Sequence, residues 1–270
     1  MTRIFAHRGV RRVWPENTMA AFRAAAALDI DGIELDVQRT SDGVLVICHD
    51  ENLFRLTGED VNLKDLSLRA LQSLNIAHHF PGAAPDHVPT FETFLDWFET
   101  TDLAVNIELK NGIVPYEGME AQVIHAVRAH GLADRTILST FNEASVLRLR
   151  DLAPDMDVAL LTKRLPSKKL RWADTHDLDA VHPQFANLLR PRIVARAAKR
   201  GLKIRFWTVN HMRHLLYAVV SRPDTIITDD PELALRIRER YGHPGPCRPI
   251  KKGAPAPPPI KAPPADHRNR

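Results

Sequence analysis

Two carboxylates lie two residues apart in the segment 32–36, at Glu34 and Asp36. The segment has the apolar character of a β-strand, and residues i and i+2 of a strand point to the same face. The two carboxylates would therefore project side by side. Burying such a pair is costly unless a cation compensates it. This cost is the first indication of a metal site.

Glu108 is the natural third ligand of that site. Asn106, Glu108 and Lys110 share one strand face by the same spacing, and their strand is expected beside the strand of Glu34 and Asp36. Three carboxylates without a cysteine or an adjacent histidine form an oxygen-rich site, which suits Mg²⁺ or Ca²⁺ better than Zn²⁺. The alternative is that these acids only form ion pairs with Lys110 or Arg8.

Two histidines, His7 and His49, bracket the acidic strand in sequence. Imidazole is the side chain whose ordinary pKa, about 6.5, lies nearest to neutral pH. Two imidazoles on opposite sides of a scissile bond can divide proton abstraction from protonation of the leaving group. We therefore predict that His7 and His49 are the catalytic acid and base, without assigning which is which.

Positive charge beside the predicted metal comes from Arg8 and Lys110. A guanidinium, an ammonium and a divalent cation at one place would stabilise a phosphate in its transition state. Trp207 could form an apolar wall for a substrate alcohol, or simply pack in the core. Glu16 and Asn17 could orient Arg8 or His7, although helix capping explains Asn17 equally well.

The elements that would position these residues alternate between short apolar strands and helical segments along about 240 residues. Strands are predicted at residues 3–7, 32–36, 103–109, 136–139, 157–162, 179–182, 203–208 and 224–228. Helices are predicted at 19–28, 91–99, 117–130, 142–151, 167–175, 190–200, 211–220 and 231–240. A further short strand at 44–48 delivers His49.

This alternation predicts a (β/α)₈ TIM barrel over residues 1–241. Residues 51–90 are interpreted as a small insertion after the second strand, with one helical pattern near 66–74. A doubly wound open sheet is the competing arrangement, but no glycine-rich phosphate loop follows any strand. The barrel also predicts polar residues at the carboxyl ends of strands. They occur there at 7–8, 34–36, 108–110, 139, 182, 207–208 and 228–229.

Charge and composition differ between the predicted barrel and the last residues. Residues 242–270 carry six Lys or Arg and one Asp, and nine of the twenty prolines, whereas residues 1–241 carry 31 basic and 32 acidic residues. We therefore expect a disordered, proline-rich basic tail with at most weak contacts, and no nucleic-acid binding. No apolar run approaches the ~20 residues of a membrane span. Two distant cysteines and no signal-peptide pattern predict a cytoplasmic protein.

Several of these segments, in order and spacing, resemble the signature of glycerophosphodiester phosphodiesterases. They are the segments 7–9, 15–18, 32–36, 49–50, 53–58, 88–92, 107–110, 207–210 and 227–231. The resemblance covers residues 3 to about 240. Each motif alone is weak, but the ordered set is highly specific.

The resemblance implies hydrolysis of a glycerophosphodiester to glycerol 3-phosphate and an alcohol, with roles in lipid and glycerol metabolism. It implies one divalent metal at Glu34, Asp36 and Glu108, with the insertion helping to form the substrate pocket. The resemblance extends more distantly to lysophospholipase D-like and sphingomyelinase D-like proteins, so a lysophospholipase D-like phosphodiesterase is the alternative activity. A non-catalytic binding module that uses the tail to contact partners or anionic membranes is the alternative from another class.

Overall fold

The computed structural model describes residues 1–80, 82–190 and 192–242, and its strands form one closed sheet. The strands are β1 (Arg3–His7), β2 (Gly32–Arg39), β3 (Leu45–Ile47), β4 (Ala104–Leu109), β5 (Thr136–Thr140), β6 (Asp157–Thr162), β7 (Ala180–Pro183), β8 (Lys203–Phe206) and β9 (Thr225–Thr228). The order around the barrel is β1-β2-β4-β5-β6-β7-β8-β9, all parallel, and β9 pairs with β1. β3 is antiparallel to the end of β2. The predicted TIM barrel is confirmed, and the open doubly wound sheet is excluded.

Helices alternate with the strands, and most of them cover the outside of the barrel. They are α1 (Met19–Ala26), α2 (Phe54–Thr57), α3 (Leu68–Leu71), α4 (Phe91–Phe98), α5 (Met119–Ala129), α6 (Glu143–Leu152), α7 (Ser167–Thr175), α8 (Ile193–Ala198), α9 (Met212–Ser221) and α10 (Pro231–Tyr241). Short 3₁₀ helices lie at Leu63–Asp65, Ala133–Arg135 and Phe185–Leu189. None of these helices is of a length and apolarity that would let it span a lipid bilayer.

Helix α4 illustrates how local sequence sets these elements. The Thr90 side chain accepts a hydrogen bond from the Thr93 N–H and so caps the helix. Its buried residues, Phe91, Phe94, Leu95 and Phe98, recur at the i, i+3, i+4 and i+7 positions of one helical face. That face packs into the main core between barrel and helices.

Several predicted boundaries differ from the structure; for example, β2 continues to Arg39 and α1 ends at Ala26. The helix expected near 66–74 is only the four-residue α3, and the helix expected at 190–200 begins at Ile193. The strand expected at 203–208 ends at Phe206, so Trp207 begins the following loop. Residues 243–270 of the predicted tail lie outside the described residues, and α10 ends at Tyr241.

The segment between β3 and α4 has a small core of its own. Its buried apolar side chains are Val46, Cys48, Leu53, Leu56, Leu63, Leu71, Ile76 and Val88. This cluster is separate from the main core. The packing gives the irregular backbone around α2 and α3 a fixed position beside the barrel mouth.

The barrel interior contains an apolar layer between two polar ends. Phe5, Ile137, Ala159, Ala180 and Ile227 pack together there. Gly32 is required beside this layer, because a Cβ at that position would lie 2.6 Å from the Phe5 ring and 2.5 Å from the Ala104 carbonyl oxygen. The layer therefore separates the charges at the amino ends of the strands from those at the carboxyl ends.

A buried guanidinium occupies the amino-terminal end of the barrel. Arg205 is 1 % exposed, and its Nη1 donates to Asp157 Oδ1 at 2.9 Å while its Nε donates to Asp224 Oδ2 at 2.7 Å. Arg3 and Lys203 bind the same two carboxylates at 2.6 and 2.8 Å. Every charge of this cluster is thus paired inside the protein.

Candidate active site

Strand register brings the predicted carboxylates together at the carboxyl end of the barrel. β1 pairs with β2 so that His7 is opposite Glu34, and β2 pairs with β4 so that Asp36 is opposite Glu108. One ligand oxygen from each of the three acids lies within 4.8 Å of the others. The three side chains could therefore share one ion.

The two predicted phosphate-binding residues, Arg8 and Lys110, each contact one of these acids. Arg8 Nε lies 3.0 Å from Asp36 Oδ2, and Lys110 Nζ lies 3.3 Å from Glu108 Oε1. The ion pairs that the sequence offered as an alternative to metal binding are therefore present. They leave the other oxygen of Asp36, Oδ1, buried and without a hydrogen-bond partner among the residues described.

The electrostatics of the three acids also fit a cation. Burial, then the charge of Asp36, raises the pKa of Glu34 well above its usual value. Burial and Asp36 likewise raise the pKa of Glu108, against the opposing charge of Lys110. Burial alone would raise the pKa of Asp36, but Arg8, the largest of the opposing charges, brings it below the usual range. The cluster thus holds more negative charge than its two cations compensate. An oxygen-only ligand set of this kind fits a hard divalent ion.

His7 is held by a carboxylate that follows the last strand. Its Nδ1 lies 2.6 Å from Asp229 Oδ1, and its Nε2 lies 3.8 Å from Glu34 Oε2. Asn210 Nδ2 donates to the other oxygen of Asp229 at 2.7 Å. Burial, followed by the neighbouring Arg8, lowers the pKa of His7 despite Asp229. With Nδ1 on Asp229, Nε2 is the ring nitrogen on the side of Glu34.

His49 has the same arrangement on the other side of the acidic strand. Its Nδ1 lies 2.6 Å from Asp50 Oδ1, and Arg55 Nε donates to Asp50 Oδ2 at 2.6 Å. Arg55 Nη2 in turn donates to Glu16 Oε1 at 2.6 Å. Both predicted acid–base residues are therefore oriented by a carboxylate that is itself held in place.

Glu16 contacts Arg8, which it was predicted to orient, whereas the Asn17 side chain contacts Asp36 instead. Arg8 Nη1 donates to Glu16 Oε1 at 2.8 Å, and Asn17 Nδ2 donates to Asp36 Oδ2 at 3.0 Å. Arg8 itself has a φ of +55°. Gly9 follows with a φ of +78°, and a Cβ there would lie 2.7 Å from the Ala21 backbone. This turn brings the Arg8 guanidinium against the acids, where they outweigh the effect of burial and raise its pKa.

A cavity of about 500 Å³ opens at this end of the barrel. Its lining includes His7, Arg8, His49, Glu51, Glu108, Leu109, Lys110, Gly112, Ile113, Thr140, Phe141, Lys163, Trp207 and Thr208. The Trp207 ring packs edge-on against Phe141 with centroids 5.4 Å apart, and its Nε1 donates to the His182 carbonyl at 2.6 Å. Trp207 therefore presents an aromatic wall to the cavity.

His182, one of the polar residues at the strand ends, does not join this site. His182 is fully buried in the barrel, and its Nε2 lies 3.1 Å from Arg205 Nη1 of the amino-terminal cluster. Sequence reasoning also assigned no role to Asp229, Asp50 or Arg55. A signal was available for the two aspartates, since each directly follows a strand or a predicted catalytic histidine.

Comparisons with known proteins agree with this geometry. The family model described as "Glycerophosphoryl diester phosphodiesterase family" matches residues 7–233. A glycerophosphodiester phosphodiesterase of Caldanaerobacter subterraneus subsp. tengcongensis is 35% identical over 242 residues, covering 89% of this chain and 99% of that protein.

Two solved structures have the same fold. A glycerophosphodiester phosphodiesterase from Agrobacterium tumefaciens has a TM-score of 0.77 and 28% identity, covering 87% of this chain and 100% of that one. A phosphodiesterase from Oleispira antarctica, in complex with its product sn-glycerol-3-phosphate, has a TM-score of 0.80 and 24% identity, covering 88% and 97% of the two chains. The chain therefore belongs to the glycerophosphoryl diester phosphodiesterase family and is an enzyme of that class.

Proposed function

We propose that the protein hydrolyses soluble glycerophosphodiesters to glycerol 3-phosphate and an alcohol, with one divalent metal and two histidines. The observation that carries this proposal is the meeting of three acidic ligands within 4.8 Å, beside a cavity that both His7 and His49 line. The product named for the Oleispira antarctica structure supports the same substrate class. The cytoplasm remains the predicted location.

The residues Glu34, Asp36 and Glu108 would hold Mg²⁺ or Ca²⁺. Such an ion, when bound, supplies Lewis-acid polarisation of a phosphoryl oxygen and helps to neutralise the charge that develops on it. Arg8 and Lys110 face the same cavity and would bind the remaining phosphate oxygens. Together these groups favour the transition state over the ground state, because negative charge builds up on the phosphoryl oxygens as the nucleophile attacks.

The two histidines would carry the proton transfers. One imidazole accepts the proton of the nucleophile, which is water or the 2-hydroxyl of the substrate glycerol. The other imidazole donates a proton to the alcohol oxygen as the bond from phosphorus to that oxygen breaks. Attack by the 2-hydroxyl would pass through a cyclic phosphate, which water then opens. Asp229 and Asp50 would keep Nδ1 of each ring engaged, so that Nε2 faces the reaction.

The direct test measures release of glycerol 3-phosphate from glycerophosphocholine, with Mg²⁺, with Ca²⁺ and with a chelator. We expect turnover with a divalent ion and its loss on chelation. Lysophosphatidylcholine, in a parallel assay, tests the lysophospholipase D alternative. Faster hydrolysis of lysophosphatidylcholine would replace the proposed substrate by that one, and full activity in chelator would contradict the metal requirement.

The histidine roles have a separate test. His7→Ala and His49→Ala should each lower kcat by about 10²-fold or more, the usual scale for loss of a general acid or base. His125→Ala is the matched control because His125 is exposed on α5, outside the cavity. Near-normal kcat in either site variant would remove that histidine from the mechanism.

A further inference from the structure

Among the described residues that line the cavity, Lys163 is the one charged side chain on the wall opposite His7 and Arg8. Arg8 follows β1 and Lys163 follows β6, and three strands separate β1 from β6 in either direction around the barrel. The other lining residues on that side are Thr140, Phe141, Trp207 and Thr208. Lys163 is therefore placed across the mouth from the groups that would bind the phosphate.

The Lys163 ammonium is free of partners among the residues that the structure describes. Throughout the described parts of the chain it has no ion pair or side-chain hydrogen bond, and it is exposed to the cavity. Glu51 also lines the cavity, but its charge acts on the other wall. Burial would lower the pKa of Lys110 there, and Glu108, Asp36 and then Glu51 raise it. The charge of Lys163 thus remains available for a ligand.

The backbone around Lys163 is held in place. Asn187, which is buried in the 3₁₀ helix after β7, donates from Nδ2 to the Lys163 carbonyl at 2.8 Å. The same side chain accepts the Leu165 N–H at 2.9 Å, and Arg190 Nη1 donates to the Leu165 carbonyl at 2.6 Å. A cation on such an anchored loop can select a ligand because little ordering is needed on binding.

We propose that Lys163 selects diesters whose alcohol carries an anionic group, such as a carboxylate or a second phosphate. This inference rests on the proposed function. With the phosphate at Arg8 and Lys110, the alcohol extends along Trp207 and Phe141 toward Lys163, where the anionic group meets the ammonium. A diester with an uncharged or cationic alcohol lacks this contact.

Two substrates that differ by one carboxylate provide the test. Glycerophosphoserine is glycerophosphoethanolamine with a carboxylate added to the alcohol. At low ionic strength the wild type should prefer glycerophosphoserine by about fivefold in kcat/KM, the scale of one partly exposed ion pair. The preference should vanish in about 1 M salt, which screens exposed charges over about 3 Å.

Variants at Lys163 locate the source of the preference. Lys163→Gln should bring the ratio of the two kcat/KM values to near one, and Lys163→Glu should reverse it. Lys168→Gln, on the exposed side of α7 and outside the cavity, is the matched control and should keep the wild-type ratio.

The possible failures are distinguishable. If the wild type hydrolyses neither diester, the proposed function is wrong and this inference falls with it. If it hydrolyses both with equal kcat/KM, only the role of Lys163 is wrong. Equal losses for both substrates in Lys163→Gln would also overturn the inference, because they would place Lys163 on a part that the two substrates share.

Discussion

The two ends of the barrel both hold carboxylates beside guanidinium groups, yet they leave those carboxylates in different states. At the amino-terminal end, Arg205 donates to both Asp157 and Asp224. Arg205 keeps the pKa of each carboxyl below its usual range despite burial. At the carboxyl end, Arg8 compensates Asp36, while burial and Asp36 raise the pKa of Glu34.

This difference in charge compensation suits one end of the barrel to stability and the other to function. Removing one partner from a charge cluster that is complete within the protein is strongly destabilising, whereas a cluster with surplus carboxylates could accept an external cation. The apolar layer around Phe5 and Ile227 keeps the two clusters apart. In this barrel the charges of the amino-terminal cluster are paired with one another, whereas the cluster at the carboxyl end faces the cavity. Active sites of TIM barrels generally lie at the carboxyl end.

The largest expected effect comes from removing a surplus carboxylate. Glu34→Gln should lower kcat/KM by about 10³-fold, because the loss of several kcal/mol of charge stabilisation has that effect on rate. In chelator, its unfolding midpoint should equal or exceed that of the wild type, since one of three repelling acids is gone. Enzyme assays and thermal unfolding measure the two quantities.

Glu59→Gln is the control for this variant, because Glu59 is exposed and lies outside the cluster. A Glu34→Gln protein that is clearly less stable in chelator would show that Glu34 stabilises the fold as the amino-terminal acids do. The comparison between the two ends would then be wrong.

The converse change is Arg205→Met at the other end. It leaves Asp157 and Asp224 without their shared buried partner and should destabilise the protein by about 3 kcal/mol, as measured by urea unfolding. The kcat per folded molecule should stay near the wild-type value. A large loss of kcat in the folded protein would mean that the apolar layer does not insulate the two ends.

Arg128→Met is the matched control for Arg205→Met. Arg128 pairs with Asp155 at the surface, where both side chains are more than 40 % exposed, 43 % and 59 % respectively. Its loss should cost less than about 1 kcal/mol. If the Arg205 variant does not fold, Lys203→Gln gives a milder version of the same test, because Lys203 shares Asp157 from a more exposed position.

The smallest effect is an acid dependence at the amino-terminal end. Burial would raise the pKa of Asp224, but Arg205 and Arg3 lower it from 3.8 to about 2. A carboxyl with a lowered pKa in the folded state contributes stability above its unfolded pKa, and this contribution is lost as pH falls toward about 2. Asp224→Asn should therefore lose about 1–2 kcal/mol less stability than the wild type between pH 5 and 2. The free energy of unfolding of both proteins is measured by urea unfolding at each pH. An equal dependence of this free energy on pH in the two proteins would contradict the assignment.

Local sequence was sufficient for the fold class and for most of the candidate site. The alternation of strands and helices predicted the barrel, and the spacing of Glu34, Asp36 and Glu108 predicted three acids at neighbouring strand ends. Both inferences rest on regular geometry, the two-residue period of a strand and the shared edge of parallel strands. The helix near 66–74 was overpredicted, because apolar residues there pack into a small separate core instead of one helical face.

Partners that are distant in sequence were decided by the tertiary structure alone. Asp229 reaches His7 across 222 residues because β9 closes the barrel against β1. The arrangement of the strands around the closed barrel likewise places His182 against Arg205. It also places Lys163 on the cavity wall opposite His7 and Arg8. The sequence predicts which side chains lie at the end of each strand, but only barrel closure and strand register determine which of them come into contact. These contacts determine which charges are compensated within the protein, and so distinguish the paired cluster at the amino-terminal end from the cluster with surplus carboxylates at the carboxyl end.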